Sequence, residues 1–142
     1  MIYKASKKIT IVMVDDEPGL KDVFVFFMEQ AKKNSKAEVE FHFFGNGRAC
    51  DDFFDSRDLS SRETVFVISD INMPERDGIT FVKELVSRHP YINTIFCTAY
   101  HCDAFRKVCA ELGAFAFFAK PMNYSVLIQK IMDSDESPAL VA

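Results

Sequence analysis

The sequence predicts an α/β protein in which helices cover both faces of a parallel sheet. Three observations support this class. Short apolar runs alternate with amphipathic stretches five times along the 142 residues, and the segments between them are short. The apolar runs are mostly continuous, which is typical of strands buried on both faces. A chain of 142 residues has the length of one domain.

Five strands are predicted from apolar runs rich in β-branched and aromatic residues. The first run, ITIVMV, is continuous, whereas the second, EVEFHFF, alternates before it becomes aromatic. Right-handed crossovers between successive strands produce a parallel sheet. The predicted strands span residues 9–14, 38–44, 64–69, 92–97 and 114–119.

Amphipathic stretches between these runs predict the helices. Pro18 suits the first turn of the first helix, and Asn123 is a suitable N-cap for the last. The third helix should end before Pro90. The apolar stripes of the five helices lie within residues 20–31, 48–55, 79–86, 102–112 and 126–131.

The domain is predicted to span residues 1–132, and residues 133–142 are expected to form an acidic flexible tail or the start of a linker. Residues 56–63 are predicted to form a loop.

Composition and charge exclude several classes of protein. The net charge of −4 argues against a direct nucleic-acid-binding surface. No apolar stretch approaches the roughly eighteen residues that span a membrane. Cys50, Cys97, Cys102 and Cys109 form no C-x-x-C pair, so neither a zinc ribbon nor a redox site is indicated. We therefore expect buried thiols in a cytoplasmic protein.

Polar side chains follow four of the five predicted strands. The carboxyl ends of parallel strands meet at one edge of the sheet, which is where α/β proteins bind ligands. We therefore expect these side chains to converge. They are Asp15 and Asp16 after the first strand, Asp70 and Asn72 after the third, Thr98 and Ala99 after the fourth, and Lys120 after the fifth.

Such a group of side chains suits phosphoryl chemistry. Neighbouring carboxylates raise one another's pKa, and a divalent cation removes the conflict. Asp15 and Asp16 offer the hard oxygens that Mg²⁺ prefers, and Lys120 adds a second positive charge. Thr98 and the Ala99 N–H can donate hydrogen bonds to phosphoryl oxygens.

Asp70 is the best candidate nucleophile, because a carboxylate can form an acyl phosphate. It lies on the middle strand if the strands take the common order 2-1-3-4-5.

Four motifs in this order resemble the receiver domain of two-component response regulators, in the style of the single-domain chemotaxis regulator. The resemblance runs from about Ile9 to Met132 and implies a doubly wound, flavodoxin-like fold with strand order 2-1-3-4-5. The motifs are VDDE (14–17), SDINMPERDG (69–78), CTAY (97–100) and AKP (119–121).

The resemblance implies a role for each acidic residue. Asp70 corresponds to the phosphoacceptor. Asp16 corresponds to a direct Mg²⁺ ligand, together with Asp70 and the backbone carbonyl of Asn72. Asp15 corresponds to the outer acidic position, which often acts through water.

The resemblance also implies a switch. Thr98 corresponds to the switch hydroxyl, and Lys120 to the lysine that pairs with the phosphate. Phe117 corresponds to an aromatic residue that turns inward when Thr98 moves toward the phosphoryl group. The bond between Lys120 and Pro121 is expected to be cis. Tyr100, two residues after Thr98, borders the path of hydrolytic water in the family, and we hypothesise that it slows loss of the phosphoryl group.

The function that follows is a phosphorelay switch in a two-component system. A sensor histidine kinase or a histidine phosphotransfer protein would supply the phosphoryl group. The 101–132 face would contact a downstream protein or a second copy of the chain. Apart from self-phosphorylation and autodephosphorylation, no enzyme activity is expected.

Two alternatives stay open. One is a degenerate receiver that binds proteins without phosphorylation. The other is a Mg²⁺-dependent aspartyl-phosphate hydrolase. Such hydrolases usually carry a second acid where this chain has Asn72, which makes the hydrolase the weaker alternative.

Overall fold

The computed structural model describes residues 7–58, 63–73, 75–100 and 103–136. Over these residues, strands and helices alternate strictly along the chain. The strands are β1 (Lys8–Val14), β2 (Glu38–Phe44), β3 (Glu63–Asp70), β4 (Asn93–Thr98) and β5 (Ala116–Ala119). The helices are α1 (Leu20–Asn34), α2 (Gly47–Asp55), α3 (Gly78–Arg88), α4 (Asp103–Glu111) and α5 (Tyr124–Glu136).

The strands form one parallel sheet in the order β2-β1-β3-β4-β5. This confirms the predicted doubly wound architecture. Strand β3 lies in the middle, and Asp70 is its last residue. The carboxyl ends of β1, β3 and β4 therefore lie side by side, which places their following residues at one edge of the sheet.

Two apolar layers hold the helices against the sheet. On one face, Phe24 of α1 and Leu127 of α5 are fully buried with the strand residue Ile68. On the opposite face, buried residues of helices α2, α3 and α4 pack against buried side chains of β1, β3 and β4. Because both faces are covered there, the central strands β1, β3 and β4 are largely apolar and buried along most of their length.

Helix α1 begins later than the sequence predicted. Pro18 lies in a turn before the helix and not in its first turn. Gly19 occupies the N-cap position with φ 87°, a left-handed conformation that glycine adopts without strain. The left-handed backbone conformation at Gly19 therefore sets where α1 starts.

Side-chain caps set the start of other helices. Asn123 Oδ1 accepts a hydrogen bond from Val126 N at 3.2 Å, so the predicted cap of α5 is confirmed. Asn46 caps α2 in the same way, because its Oδ1 accepts a hydrogen bond from Ala49 N at 2.9 Å. Helix α5 continues to Glu136, four residues past the predicted domain boundary at residue 132.

The predicted strand ends shift by one or two residues. Strand β3 includes Asp70, and β5 begins at Ala116, because Phe115 still lies in the bend before the strand. Of the predicted loop 56–63, residues 59–62 lie outside the described ranges, and Glu63 opens β3.

Within the described ranges, no helix is long and apolar enough to cross a membrane. Cys50, Cys97 and Cys109 are free and buried, and Cys102 lies outside the described residues. Burial raises the pKa of the Cys50 and Cys97 thiols, which keeps both uncharged at neutral pH.

Candidate phosphoryl-acceptor site

The loop after β1 supplies the first acidic groups. Asp15 is 1% exposed, and its backbone N–H donates to Phe44 O of β2 at 3.0 Å. Its Oδ1 accepts a hydrogen bond from Glu17 N at 2.9 Å. Asp16 is exposed beside it. Of the predicted metal-site residues, Asp15 therefore presents a buried, fixed carboxylate and Asp16 a solvated one.

Asp70 is held at the end of the central strand. It is 6% exposed, and its Oδ1 accepts a hydrogen bond from Asn72 N at 3.1 Å. The loop that follows is pinned to its neighbours, because Ile71 N donates to Cys97 O at 3.0 Å and Gly78 N donates to Ile71 O at 2.7 Å. This backbone network fixes the direction in which the Asp70 carboxylate points.

Thr98 is fully buried at the end of β4. Its Oγ1 accepts two hydrogen bonds, from Asn72 Nδ2 at 3.2 Å and from Tyr100 N at 3.1 Å. Both of these contacts use the oxygen as acceptor, so the hydroxyl proton is available to donate. The Thr98 carbonyl accepts Lys120 N at 2.8 Å, which ties the end of β4 to the end of β5.

Lys120 joins the acidic groups. Its Nζ lies 2.7 Å from Asp15 Oδ2, 3.0 Å from Asp70 Oδ2 and 3.3 Å from Glu17 Oε2. The bond from Lys120 to Pro121 is cis, as the resemblance implied. The predicted meeting of carboxylates from two strands with one ammonium group is therefore observed.

Burial and neighbouring charges shift two pKa values at this site. Burial raises the pKa of Asp70, and the nearby Asp15 charge raises it further, whereas hydrogen bonds from Lys120 and Asn72 N oppose the change. Burial disfavours the charged form of Lys120, but its close contacts with the Asp15 and Asp70 carboxylates outweigh this cost and raise the lysine pKa. Lys120 therefore stays charged at neutral pH.

The acidic cluster has the chemistry of a magnesium site. One oxygen each from Asp15, Asp16 and Asp70 lie within 4.8 Å of one another. Asp15 Oδ2 is buried and receives no hydrogen bond of good geometry among the described residues; its contact with Lys120 is an ion pair. A buried oxygen with spare acceptor capacity, beside two further hard oxygens, suits Mg²⁺. Whether the Asn72 carbonyl completes the set stays a prediction.

Two further predicted residues lie on or next to β4 and β5. Ala99 is exposed directly after Thr98, and its predicted N–H contact with a phosphoryl oxygen stays a prediction. Phe117 is half-buried on β5 and pairs in register with Phe96 of β4. The guanidinium of Arg106 on α4 lies over the Phe117 ring, 4.9 Å from its centroid.

Three contributors were not assigned from the sequence. The exposed side chain of Glu17 forms an ion pair with Lys120. Its position directly after Asp15 and Asp16 was the sequence feature that could have indicated this contact. Gly78 lies against the Asp70 carbonyl, and its place at the end of a turn sequence was a weak hint. The contact between Arg106 and Phe117 depends on how α4 lies over β5, and no sequence pattern indicates that.

Comparisons with known proteins agree with this geometry. The family model described as "Response regulator receiver domain" matches residues 11–132. The transcriptional regulatory protein CssR of Bacillus subtilis (strain 168) is 28% identical over 122 residues, 86% of this chain and 49% of that protein. The sensor kinase CckA of Brucella abortus (strain 2308) is 37% identical over 71 residues, 50% of this chain and 8% of that protein. The chain thus spans less than half the length of these two curated relatives.

A solved structure has the same fold. The signal receiver domain of a DNA-binding response regulator from Colwellia psychrerythraea 34H superposes with a TM-score of 0.75 at 21% identity, covering 91% of this chain and 99% of that one. With the family model matching most of the sequence, the chain belongs to the response regulator receiver domain family of two-component signalling systems.

Proposed function

We propose that this chain is a phosphorelay switch that accepts a phosphoryl group on Asp70 in a Mg²⁺-dependent reaction. One observation carries the proposal: Lys120 Nζ lies 3.0 Å from Asp70 Oδ2 while the Asp15, Asp16 and Asp70 carboxylates share one small site. A buried nucleophile, a cation ligand set and a fixed ammonium are the groups that phosphoryl transfer requires.

The transfer forms one bond and breaks one. A carboxylate oxygen of Asp70 attacks the phosphorus of a phosphohistidine, the O–P bond forms, and the P–N bond breaks with its electron pair passing to the imidazole nitrogen. The product is a mixed anhydride, an acyl phosphate. Mg²⁺ held by Asp15, Asp16 and Asp70 would neutralise charge on the phosphoryl oxygens.

The chain's own residues then stabilise the transferred group. Lys120 is charged and already beside the nucleophile, so it can pair with a phosphoryl oxygen without a large movement. The Thr98 hydroxyl has a free proton to donate, and we propose that its movement toward the phosphoryl group lets Phe117 turn inward. That pair of movements is the switch.

The proposed donor is a sensor histidine kinase or a histidine phosphotransfer protein, and membership of the response regulator receiver domain family supports this choice. The proposed output contact is a downstream protein or a second copy of the chain through the 101–132 face. Apolar side chains exposed on this face support that use: Val108 at 39%, Leu112 at 37% and Val126 at 52%. We propose that the chain works in the cytoplasm.

In this proposal, the chain catalyses only its own phosphorylation and dephosphorylation and turns over no other substrate. An aspartyl-phosphate hydrolase needs a second acid near the nucleophile. The residue two places after Asp70 is Asn72, whose amide donates to Thr98 Oγ1 and cannot act as that acid.

Acetyl phosphate and Mg²⁺ test the proposal without a partner protein. Intact-mass spectrometry should show one added phosphoryl group on the wild type and none on Asp70→Asn. Chelation of Mg²⁺ should abolish the addition, and Lys120→Ala should greatly reduce it. An unmodified wild type, or equal modification of wild type and Asp70→Asn, would contradict the proposal.

A further inference from the structure

Thr98 and Phe117 lie on the same face of the sheet. Phe96 of β4 pairs with Phe117 of β5, and Thr98 pairs with Ala119. Side chains alternate along a strand, so Thr98 points to the same face as Phe96, and Phe117 points there as well. This face is the one that α2, α3 and α4 cover. Thr98 and Phe117 therefore lie on neighbouring strands with their side chains on the same face of the sheet, and Phe117 packs against the buried residues there.

Arg106 covers Phe117 from outside. It is exposed on α4, and its guanidinium carbon lies 4.9 Å from the ring centroid. A guanidinium within about 6 Å of an aromatic face is attracted by the ring quadrupole. Among the described residues, no carboxylate forms an ion pair with Arg106, so the ring is its observed partner.

We propose that Arg106 is a positioning residue of the switch: by stacking on Phe117, it holds the ring in the resting orientation and so favours the unphosphorylated conformation. This inference rests on the proposed function, since Phe117 switches only if Asp70 accepts a phosphoryl group. The proposal requires that the stacking contact is lost when the ring turns inward. Only contacts that differ between two states shift their equilibrium, and this contact would then be one of them.

The expected effect is modest and measurable. The stacking energy of an exposed cation–π pair corresponds to about a two- to five-fold change in an equilibrium constant. Where the resting state dominates, the same factor appears in the affinity for any ligand that binds the active state. Loss of Arg106 should therefore tighten binding of a phosphoryl mimic by about two- to five-fold.

Beryllofluoride with Mg²⁺, titrated by calorimetry, measures this affinity directly. Arg106→Gln should bind about two- to five-fold more tightly than the wild type. Lys107→Gln is the matched control, because it makes the same change of charge at the neighbouring exposed position of α4. It should bind as the wild type does. Arg106→Lys keeps the positive charge without the planar group. Its affinity for beryllofluoride should lie between those of the wild type and Arg106→Gln.

A double-mutant cycle with Phe117→Leu then identifies the route. Without the ring, replacing Arg106 should have no further effect on affinity. If Arg106→Gln equals the wild type, if Lys107→Gln reproduces its effect, or if the effect persists with Leu at position 117, the inference is overturned while the proposed function stands. If the wild type binds no beryllofluoride, both are overturned.

Discussion

Gly78 lies against the backbone of the residue that we propose accepts the phosphoryl group. A Cβ added at Gly78 would lie 1.9 Å from the carbonyl oxygen of Asp70 and 2.8 Å from its carbonyl carbon. Backbone atoms cannot move aside as a flexible side chain can. The absence of a side chain at residue 78 therefore lets α3 begin directly beside Asp70.

Gly78→Ala should consequently disturb both stability and the site. We expect a loss of about 1–3 kcal/mol in the free energy of unfolding, as for other overpacked positions, and slower phosphorylation by acetyl phosphate. Urea unfolding and intact mass measure the two effects. Gly45→Ala is the control, because nothing lies within 4 Å of a Cβ there. Equal behaviour of the two variants would contradict the close approach at Gly78.

Tyr100 is placed to influence the lifetime of the acyl phosphate. Its side chain is 63% exposed, and its backbone N–H bonds the Thr98 hydroxyl oxygen at 3.1 Å. We predict that Tyr100→Ala loses the phosphoryl group a few times faster, because water reaches the acyl phosphate more easily. Tyr100→Phe keeps the ring and should match the wild type. Time courses of phosphoprotein decay give the rates, and an unchanged rate in Tyr100→Ala would refute the hypothesis.

At the scale of elements, an ionic network joins the strands at the end of the sheet opposite the site. Glu40 of β2 contacts Lys8 of β1 at 2.9 Å, His42 at 2.7 Å, and Arg57, which follows α2. Arg57 also reaches Glu63 of β3 at 2.7 Å. The hydrogen bond from Arg57 is the largest cause that lowers the pKa of Glu40, to about 2.

The lowered pKa of Glu40 predicts a pH dependence of stability. A carboxyl group with a depressed pKa stabilises the fold above its unfolded value of 4.5, and this contribution is lost as the pH falls toward about 2. The free energy of unfolding of the wild type should therefore exceed that of Glu40→Gln near neutral pH. This difference should disappear as the pH falls from 4.5 toward about 2. The gain is modest, since solvent screens a partly exposed group.

Glu38→Gln provides a control for this experiment, because Glu38 is exposed on the same strand. Its free energy of unfolding should differ little from that of the wild type. Urea titrations at several pH values measure both variants. If the difference in free energy of unfolding between the wild type and Glu40→Gln increases on acidification, the stabilising role of the Glu40 carboxylate is contradicted.

The elements differ in how far the sequence predicts them. The apolar runs predicted all of the described strands within two residues at each end. The pattern is continuous where a strand is buried on both faces, as in β1, and alternates in the half-exposed strand β2. Helix starts were less predictable. The start of α1 depends on the positive φ of Gly19, and the start of α3 on a hydrogen bond from Thr80 N to the Asp77 side chain. Such local geometry has only weak signals in a single sequence.

At the scale of the whole molecule, topology explains why the site was largely predictable. Parallel strands place their carboxyl ends at one edge, so Asp15, Asp70, Thr98 and Lys120 were expected there before any distance was known. Contacts across elements were not predictable in this way. The approach of Gly78 to Asp70 and the stacking of Arg106 on Phe117 depend on how helices lie over the sheet.

Metal binding should stabilise the folded chain as a whole. A ligand that binds only the folded state adds about 2.7 kcal/mol when its concentration is a hundred times its Kd. Mg²⁺ should therefore raise the melting temperature of the wild type. Asp16→Asn removes a predicted ligand and should reduce this shift, although its metal-free form should be at least as stable because one repelling carboxylate is gone.

Asp22→Asn is the control for metal binding, since Asp22 is an exposed acid in the first turn of α1. Its Mg²⁺-induced shift should equal that of the wild type. Differential scanning calorimetry with and without Mg²⁺ measures the shifts. Equal shifts for Asp16→Asn and Asp22→Asn would remove Asp16 from the metal site.

The most direct test is to locate the phosphoryl group after reaction with acetyl phosphate and Mg²⁺. Borohydride converts an aspartyl phosphate to homoserine, which peptide mass spectrometry can assign to one position. We predict homoserine at position 70 in the wild type and at no position in Asp70→Asn. Homoserine at another aspartate, or a stable phosphate on a different type of residue, would contradict the account.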